Sequence, residues 1–334
     1  MMEKHFIVGA FLFRVIAPEG FPIPENFLKF EQKQKPEEEP RNQTEPEEKP
    51  KPKAAEFTYR IDAADEIPQP AGSLIAERTG LQVYRAPGVK EGESRVLFFA
   101  SPDPDGQPHC AAPYASYEEI SEAEAQILVS RERLFLLQYD TGFTSLFALE
   151  RQMIHHDGII LHCAYIVWHG HAILFSAPSQ TGKSTQAALW EKYRGSRTIN
   201  GDRALLRKIG GVWNACGWPV CGSSEICRLQ DTPIRAVVLL RQGRENQVRR
   251  LTAIQAFTGL YPQVTINSWN KDFVRRAMDG IEDLIREVPV RELTCDISEN
   301  AVCCLEQALL EEEGNAGSGQ EEKSGCGAGS ATAG

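Results

Sequence analysis

The sequence predicts an α/β fold with a mixed sheet, preceded by a small β-rich region, on three observations. First, residues 172–185 (AILFSAPSQTGKST) read as a short apolar strand, a small-residue turn and a helix opened by Gly182-Lys183-Ser184-Thr185. Second, residues 159–168 read as a strand that reaches this stretch through only His169-Gly170-His171. So short a turn joins antiparallel neighbours, whereas doubly wound nucleotide-binding sheets link parallel strands through helices. Third, residues 57–61, 81–84 and 96–99 are short β-branched or aromatic runs bounded by Gly or Pro.

The remaining elements follow in order. Residues 6–16 are apolar and read as a first strand. Arg14 interrupts the run and Pro18-Glu19-Gly20 follows it, so it does not read as a signal peptide. Residues 31–55 are Lys, Glu, Gln and Pro with almost no apolar side chain, which predicts a disordered insertion. The β-rich region is expected to end near residue 115. Phe143, Leu146, Phe147, Glu150, Met153 and Ile154 recur at helical spacing, predicting one amphipathic helix over 141–156. Beyond the loop, helices are expected at 184–194, 252–260, 271–287 and 298–312. Strands are expected at 197–200, 204–208, 212–216, 234–240 and 290–293. From Gly314 the chain is rich in Gly, Ser and Ala and reads as a disordered tail that carries Cys326. The domain scheme is therefore 1–115, 116–313 and 314–334.

At 334 residues, with 42% hydrophobic and 25% charged residues, the chain is long enough for about two globular domains. The net charge of −10 and the lack of Lys/Arg clusters argue against nucleic-acid binding. No run reaches the roughly 20 apolar residues of a membrane span. The nine cysteines are odd in number and several sit in apolar runs, as reduced thiols of a cytoplasmic protein do. Cys216, Cys221 and Cys227 lack the C-x₂-C spacing and paired histidines of a zinc site.

The chemistry centres on the 177–185 loop. In a phosphate-binding loop, the backbone of Ala177, Pro178, Ser179, Gln180, Thr181 and Gly182 wraps the phosphates. Lys183 reaches the β/γ oxygens, Ser184 ligates Mg²⁺, and Ser184 and Thr185 open a helix whose N-terminus is partially positive. Two positions depart from the usual pattern. Ala177 stands where a glycine usually begins the loop, and Gln180 stands where a glycine is common. A positive φ at Gln180 would cost on the order of 1 kcal/mol. Asp202 ends the strand after the loop helix, where its carboxylate would face the metal and the terminal phosphate. His162, on the strand before the loop strand, lies within reach of the same point.

The pieces LHCAYIVWHGHAILFSAPSQTGKST, INGDRALLR and GWPVCGSSEICR, within residues 161–225, resemble the catalytic domain of the bacterial HPr kinase/phosphorylase family. That domain is a mixed α/β fold akin to ATP-dependent phosphoenolpyruvate carboxykinase. The resemblance implies that Lys183 and Ser184 bind ATP and Mg²⁺. It also implies that His162 belongs to the active site, that the acceptor is a serine of a protein or peptide, and that the chain forms a homo-oligomer. The family carries an Asp-Asp pair after the loop helix, the first acting as base. Here the pair is Gly201-Asp202, so Asp202 either takes the base role or keeps only the metal role. Residues 1–115 carry no such resemblance. Two further readings stay open, a small-molecule kinase on the same scaffold and a nucleotide-binding adaptor without chemistry.

Overall fold

The computed structural model describes residues 1–32, 55–102, 108–110 and 112–321 of the chain. The first strands, β1 (Met2–Val8) and β2 (Phe11–Ala17), form an antiparallel hairpin around Gly9-Ala10. The single strand expected over 6–16 is therefore two. Both arms keep the apolar pattern continuous, and Gly9 at φ +60° supplies the left-handed turn residue. A short helix, α1 (Glu25–Leu28), follows. The insertion expected at 31–55 lies, except for its ends, outside the described residues.

The chain then lays down β3 (Phe57–Ala64), β4 (Leu74–Arg78), β5 (Leu81–Arg85) and β6 (Glu93–Leu97). A two-stranded ribbon, β7 (Ala100–Pro102) and β8 (Pro108–Cys110), precedes β9 (Ala115–Ser121) and β10 (Glu124–Ser130). Eight of these strands form one mixed sheet in the order β1-β2-β3-β10-β9-β6-β5-β4. This sheet continues to Ser130, past the boundary expected at 115. In β9 the burial alternation is masked by Glu118 and Glu119, of which Glu119 is itself buried by ion pairing.

The sheet's core is aromatic. Phe27 meets Phe143 at 4.8 Å between ring centroids, and Tyr59 meets Phe147 at 5.0 Å, both edge-on. Phe143 lies in α2 (Asp140–Thr144), and α3 (Leu149–His155) follows. The helix expected over 141–156 is thus broken, at Ala148 with φ +46°. Apolar spacing reports which positions are buried, and Phe143, Phe147, Leu149 and Met153 all enter this one core. It carries no information on the backbone angle between them.

The second sheet begins with β11 (Ile159–Trp168) and β12 (His171–Ser176), antiparallel as expected from the short turn. Helix α4 (Lys183–Arg194) leads to β13 (Arg197–Asn200), β14 (Arg203–Ile209), β15 (Val212–Cys216), β16 (Thr232–Gln242) and β17 (Gln247–Arg250). Helices α5 (Ala253–Leu260) and α6 (Lys271–Glu287), strand β18 (Val290–Cys295) and helix α7 (Glu299–Glu321) complete the described chain. The sheet is mixed. β11 pairs antiparallel with β12, β13 and β14, and β16 pairs parallel with β12 and β18. β15 also touches the start of β16, which closes a ring of β11, β14, β15, β16 and β12.

Alternate residues of β11 and β12 serve two cores, as period-2 geometry dictates. Cys163, Tyr165 and Leu174 face Phe273, Ala277 and Ile281 of α6, while Ala164, Ile166 and Phe175 face Trp190 of α4 and Leu305 of α7. Helices therefore cover both faces. Thr252 caps α5 through a reciprocal bond with Gln255. Helix α7 runs past Gly314, where a disordered tail was expected, because its packed first turns carry the nucleation cost and later residues only extend it. Cys326 lies outside the described residues.

A buried ionic network ties the two sheets together. Glu93 and Arg95 of β6, Glu119 of β9 and Arg151 of α3 are all nearly inaccessible. Arg151 bonds Glu93 at 2.6 Å and Glu119 at 2.9 Å, and Arg95 bonds Glu93 at 2.8 Å and Glu150 at 2.7 Å. Trp269 and Asn267, just before α6, donate to Glu93 and Glu150. Arg151→Ala leaves two buried carboxylates without their shared guanidinium. It is expected to lower stability by on the order of 3–5 kcal/mol in urea unfolding. Arg275→Ala, which breaks pairs on the exposed face of α6, should leave the midpoint nearly unmoved.

Candidate active site

Strand β11 brings the sequence-predicted residues together. Its Cys163 lies opposite Ser176, the last residue of β12, and its His162 lies opposite Arg203, the first of β14. The 177–182 loop therefore leaves from one side of β11, and the Gly201-Asp202 step between β13 and β14 stands on the other. Hydrogen bonds fix both sides. Ser176 Oγ donates to the His162 carbonyl at 2.8 Å, and the Cys163 amide donates to the Asp202 carbonyl at 2.9 Å.

His162 Nε2 is 3.5 Å from Asp202 Oδ1, and Arg203 Nε donates to Asp202 Oδ2 at 3.2 Å. The bond from His162, then the charge of Arg203, outweigh burial and hold the Asp202 carboxyl below its ordinary value. Asp202 is thus an anion. Lys183 begins α4 and is buried, and its Nζ donates to the carbonyls of Ala177 at 2.9 Å and Pro178 at 3.2 Å. Burial lowers its pKa, against the opposing pull of the Asp202 charge.

The loop accommodates both of its unusual residues. Ala177 is buried among Ala187 and Trp190 and does not take a positive φ, so no glycine is required there. Gln180 does adopt the left-handed conformation, φ +64°, and the Gln242 side chain holds the carbonyls of Gln180 and Thr181 at 3.4 Å. Pro178, Ser179 and Gln180 are exposed, as are Ser184 and Thr185.

These residues could hold a phosphate group and a divalent cation. Helix α4 has no side-chain cap on its first-turn N–H groups, and a Cβ added at Gly182 (φ +111°) would meet nothing within 4 Å. The first turn of α4 thus lacks a side-chain cap beside an open position at Gly182, as helix N-termini that receive anions do. One anionic carboxylate, Asp202, and one exposed hydroxyl, Ser184, match the sparse protein ligation of Mg²⁺, which draws its other ligands from phosphate and water.

Sequence reasoning missed the residue that holds this site together. Asn200 is fully buried. Its Oδ1 accepts from the amides of Asp202 and Arg203 at 2.9 and 3.0 Å. Its Nδ2 donates to the carbonyls of Trp218 and Val220 at 2.9 and 3.0 Å. An Asn ending a strand before Gly-Asp is a recognisable turn signal, but its second pair of partners lies 18 and 20 residues away. The glycine at 201, which departs from a carboxylate pair, has a steric reason that only the fold reveals. A Cβ there would stand 2.2 Å from Ser224 Oγ and 2.4 Å from Ser224 Cβ, so a carboxylate side chain at position 201 has no room beside this loop.

No protein-family model matches the chain, and no curated protein matches it either. Among solved structures it is similar to an HPr(Ser) kinase/phosphatase from Coxiella burnetii at 11% identity, over 49% of this chain and 98% of that one, with a TM-score of 0.32. A likeness of that extent carries no functional argument, so the reading of the site rests on its own residues.

Asn200→Ala strips four backbone groups of their partner and is expected to lower stability by about 2–4 kcal/mol in chemical denaturation. Asp202 has its carboxyl lowered in the folded state, so it adds stability above its unfolded pKa of about 4, and this is lost as pH falls through the folded value. Asp202→Asn should therefore flatten the fall in stability measured below about pH 4.

Proposed function

We propose that this protein is an ATP- and Mg²⁺-dependent kinase that phosphorylates a hydroxyl group, a serine of a protein or peptide. The observation that carries the reading is the strand register that sets Lys183 and Asp202 on either side of β11, with His162 Nε2 3.5 Å from the Asp202 carboxylate. A strand, a loop with a glycine cradle, a helix N-terminus and a lysine on one side answer the needs of phosphate binding. A carboxylate–imidazole pair on the other answers the needs of an acceptor.

ATP would supply the γ-phosphoryl group, with Mg²⁺ offsetting its charge. The chain's own residues then divide the remaining work. Lys183 leaves the Ala177 and Pro178 carbonyls for phosphate oxygens, and the first N–H groups of α4 hold the same anion. Ser184 and Asp202 would hold the metal. The acceptor hydroxyl attacks phosphorus as the bond to the leaving diphosphate breaks, and its proton passes to Asp202, whose other neighbour is the His162 imidazole. Asp202 is suited to accept a hydrogen bond from the acceptor because it is anionic and half-buried.

A second reading has one observation in its favour. Ser224 fills the space where a second carboxylate would stand, which is compatible with nucleotide binding without transfer. The two readings separate in one experiment. With γ-labelled ATP and a lysate of peptides and metabolites, the kinase reading expects label on a polypeptide hydroxyl, located by mass spectrometry. Lys183→Ala should abolish labelling with an unchanged circular dichroism spectrum, and Asp202→Asn should lower the rate by 10²-fold or more, roughly the scale of a lost acid–base group. Tight ATP binding with no labelled acceptor would establish the adaptor. Unchanged turnover in Lys183→Ala would overturn both.

A further inference from the structure

Helices α5 and α6 leave between them an apolar groove that neither the core nor the candidate active site uses. Its volume is about 460 Å³, and Ala253, Ile254, Phe257, Glu282, Ile285 and Arg286 line it. Ile254 and Phe257 share one face of α5, and Glu282, Ile285 and Arg286 share one face of α6, as positions three and four apart do. Phe257 and Ile285 rest partly on the core beneath. Ile254 does not, and is 78% exposed. Met278, one turn before Glu282, is exposed as well. Single exposed apolar side chains are ordinary on a protein surface, whereas a contiguous apolar patch rimmed by charge marks an interaction surface.

The chain's own remaining segments do not suit this groove. The parts of the sequence outside the described residues contain no Leu, Ile, Val, Met or aromatic side chain. The rim restricts the occupant further. Glu282 and Arg286 stand one turn apart with opposite charge. Arg286 bonds Asp283 of its own helix at 3.0 Å yet is 69% exposed, and Glu282 has no ion pair among the described residues. A surface of one predominant charge would meet one of the two as a like charge, which disfavours it. A second copy of this chain, turned about a two-fold axis, presents the same pair in reverse order. Glu282 of each copy then meets Arg286 of the other, the reciprocal contact that a two-fold interface requires.

We infer that the α5–α6 groove is the interface of a two-fold homodimer, in which Ile254 of each copy enters the groove of the other and Glu282 pairs with Arg286 across the axis. This gives an apolar centre and a polar rim, the usual anatomy of a protein interface. The inference is independent of the kinase reading, because none of these residues belongs to the candidate active site. Sedimentation velocity on the full chain, over a concentration series, tests it. The unaltered chain is expected to form a concentration-dependent dimer. Ile254→Asp puts a carboxylate into the apolar centre and should leave a monomer. An Asp in the first turn of a helix suits its dipole, so α5 should persist, as circular dichroism would verify. Glu282→Arg sets arginines against each other twice by symmetry, and Arg286→Glu does the same with carboxylates. Each is expected to weaken association about tenfold or more. The double variant, Glu282→Arg with Arg286→Glu, restores opposite pairs and should dimerise as the unaltered chain does. A chain that is monomeric at every concentration would overturn the inference, whether or not the groove then takes a helix of another protein. So would an undiminished dimer of folded Ile254→Asp, which would place the interface elsewhere, or a double variant that associates no better than the single ones. If Ile254→Asp does not fold, the charge exchange alone decides the matter.

Discussion

The arrangement depends on one constraint, the double antiparallel pairing of β11. This ten-residue strand is held by β12 along one edge and by β13 and β14 along the other. A one-residue slip on either edge would turn every side chain of the slipped strand to the opposite face. Because the two faces serve different helical layers, with Tyr165 and Leu174 on one and Ile166 and Phe175 on the other, such a slip is strongly disfavoured. The register that places the 177–182 loop opposite Asp202 is thus fixed by core packing, far more firmly than the exposed loop could fix it alone. The geometry of the candidate site is inherited from hydrophobic pattern.

Within that frame, the second side of the site is built from small residues that fit around each other. Gly201 leaves space that Ser224 occupies, and Gly222, at φ +57°, lies where an added Cβ would stand 3.0 Å from Asp202 Cγ. Two glycines therefore let the 217–225 loop close on the Asp202 turn, and Asn200 bonds the turn and the loop from beneath. A carboxylate at 201 and a serine at 224 are mutually exclusive in this geometry.

Much of the second sheet was legible in the sequence, for identifiable reasons. The His169-Gly170-His171 turn is too short for anything but an antiparallel pair, so the mixed character of the sheet followed from loop length. Helix α6 was read at its observed bounds because Asn270 caps it and its apolar positions keep the helical period. What escaped depends on backbone angles or on distant partners. Ala148 at φ +46° breaks a helix that apolar spacing draws as continuous, and Gly9 folds an apolar run into a hairpin. β17 is short and polar, and takes its shape from pairing with β18. Asp202 and His162 could be nominated from spacing, but their partnership with Asn200 and Arg203 needed the register of three strands.

The ionic network between the sheets accounts for the charge buried in β6, β9 and α3. Its carboxylates reach across to Asn267 and Trp269, and thereby hold the segment that leads into α6. That same segment bridges to β11 at Val264 opposite Leu161, and Thr265 both donates its amide to the Ile160 carbonyl at 2.9 Å and accepts from Arg203. Arg203 in turn bonds Asp202. A continuous path of hydrogen bonds and short chain segments therefore runs from β6 in the first sheet to the carboxylate in the second. Apolar packing alone could join the sheets at lower desolvation cost, but it would not fix the direction of a guanidinium. Arg203 is a long, flexible side chain, and its orientation between Thr265 and Asp202 is meaningful only if Thr265 is itself immobile. Through Glu93 of β6 and Glu150 of α3, that path links the N-terminal sheet to the candidate site.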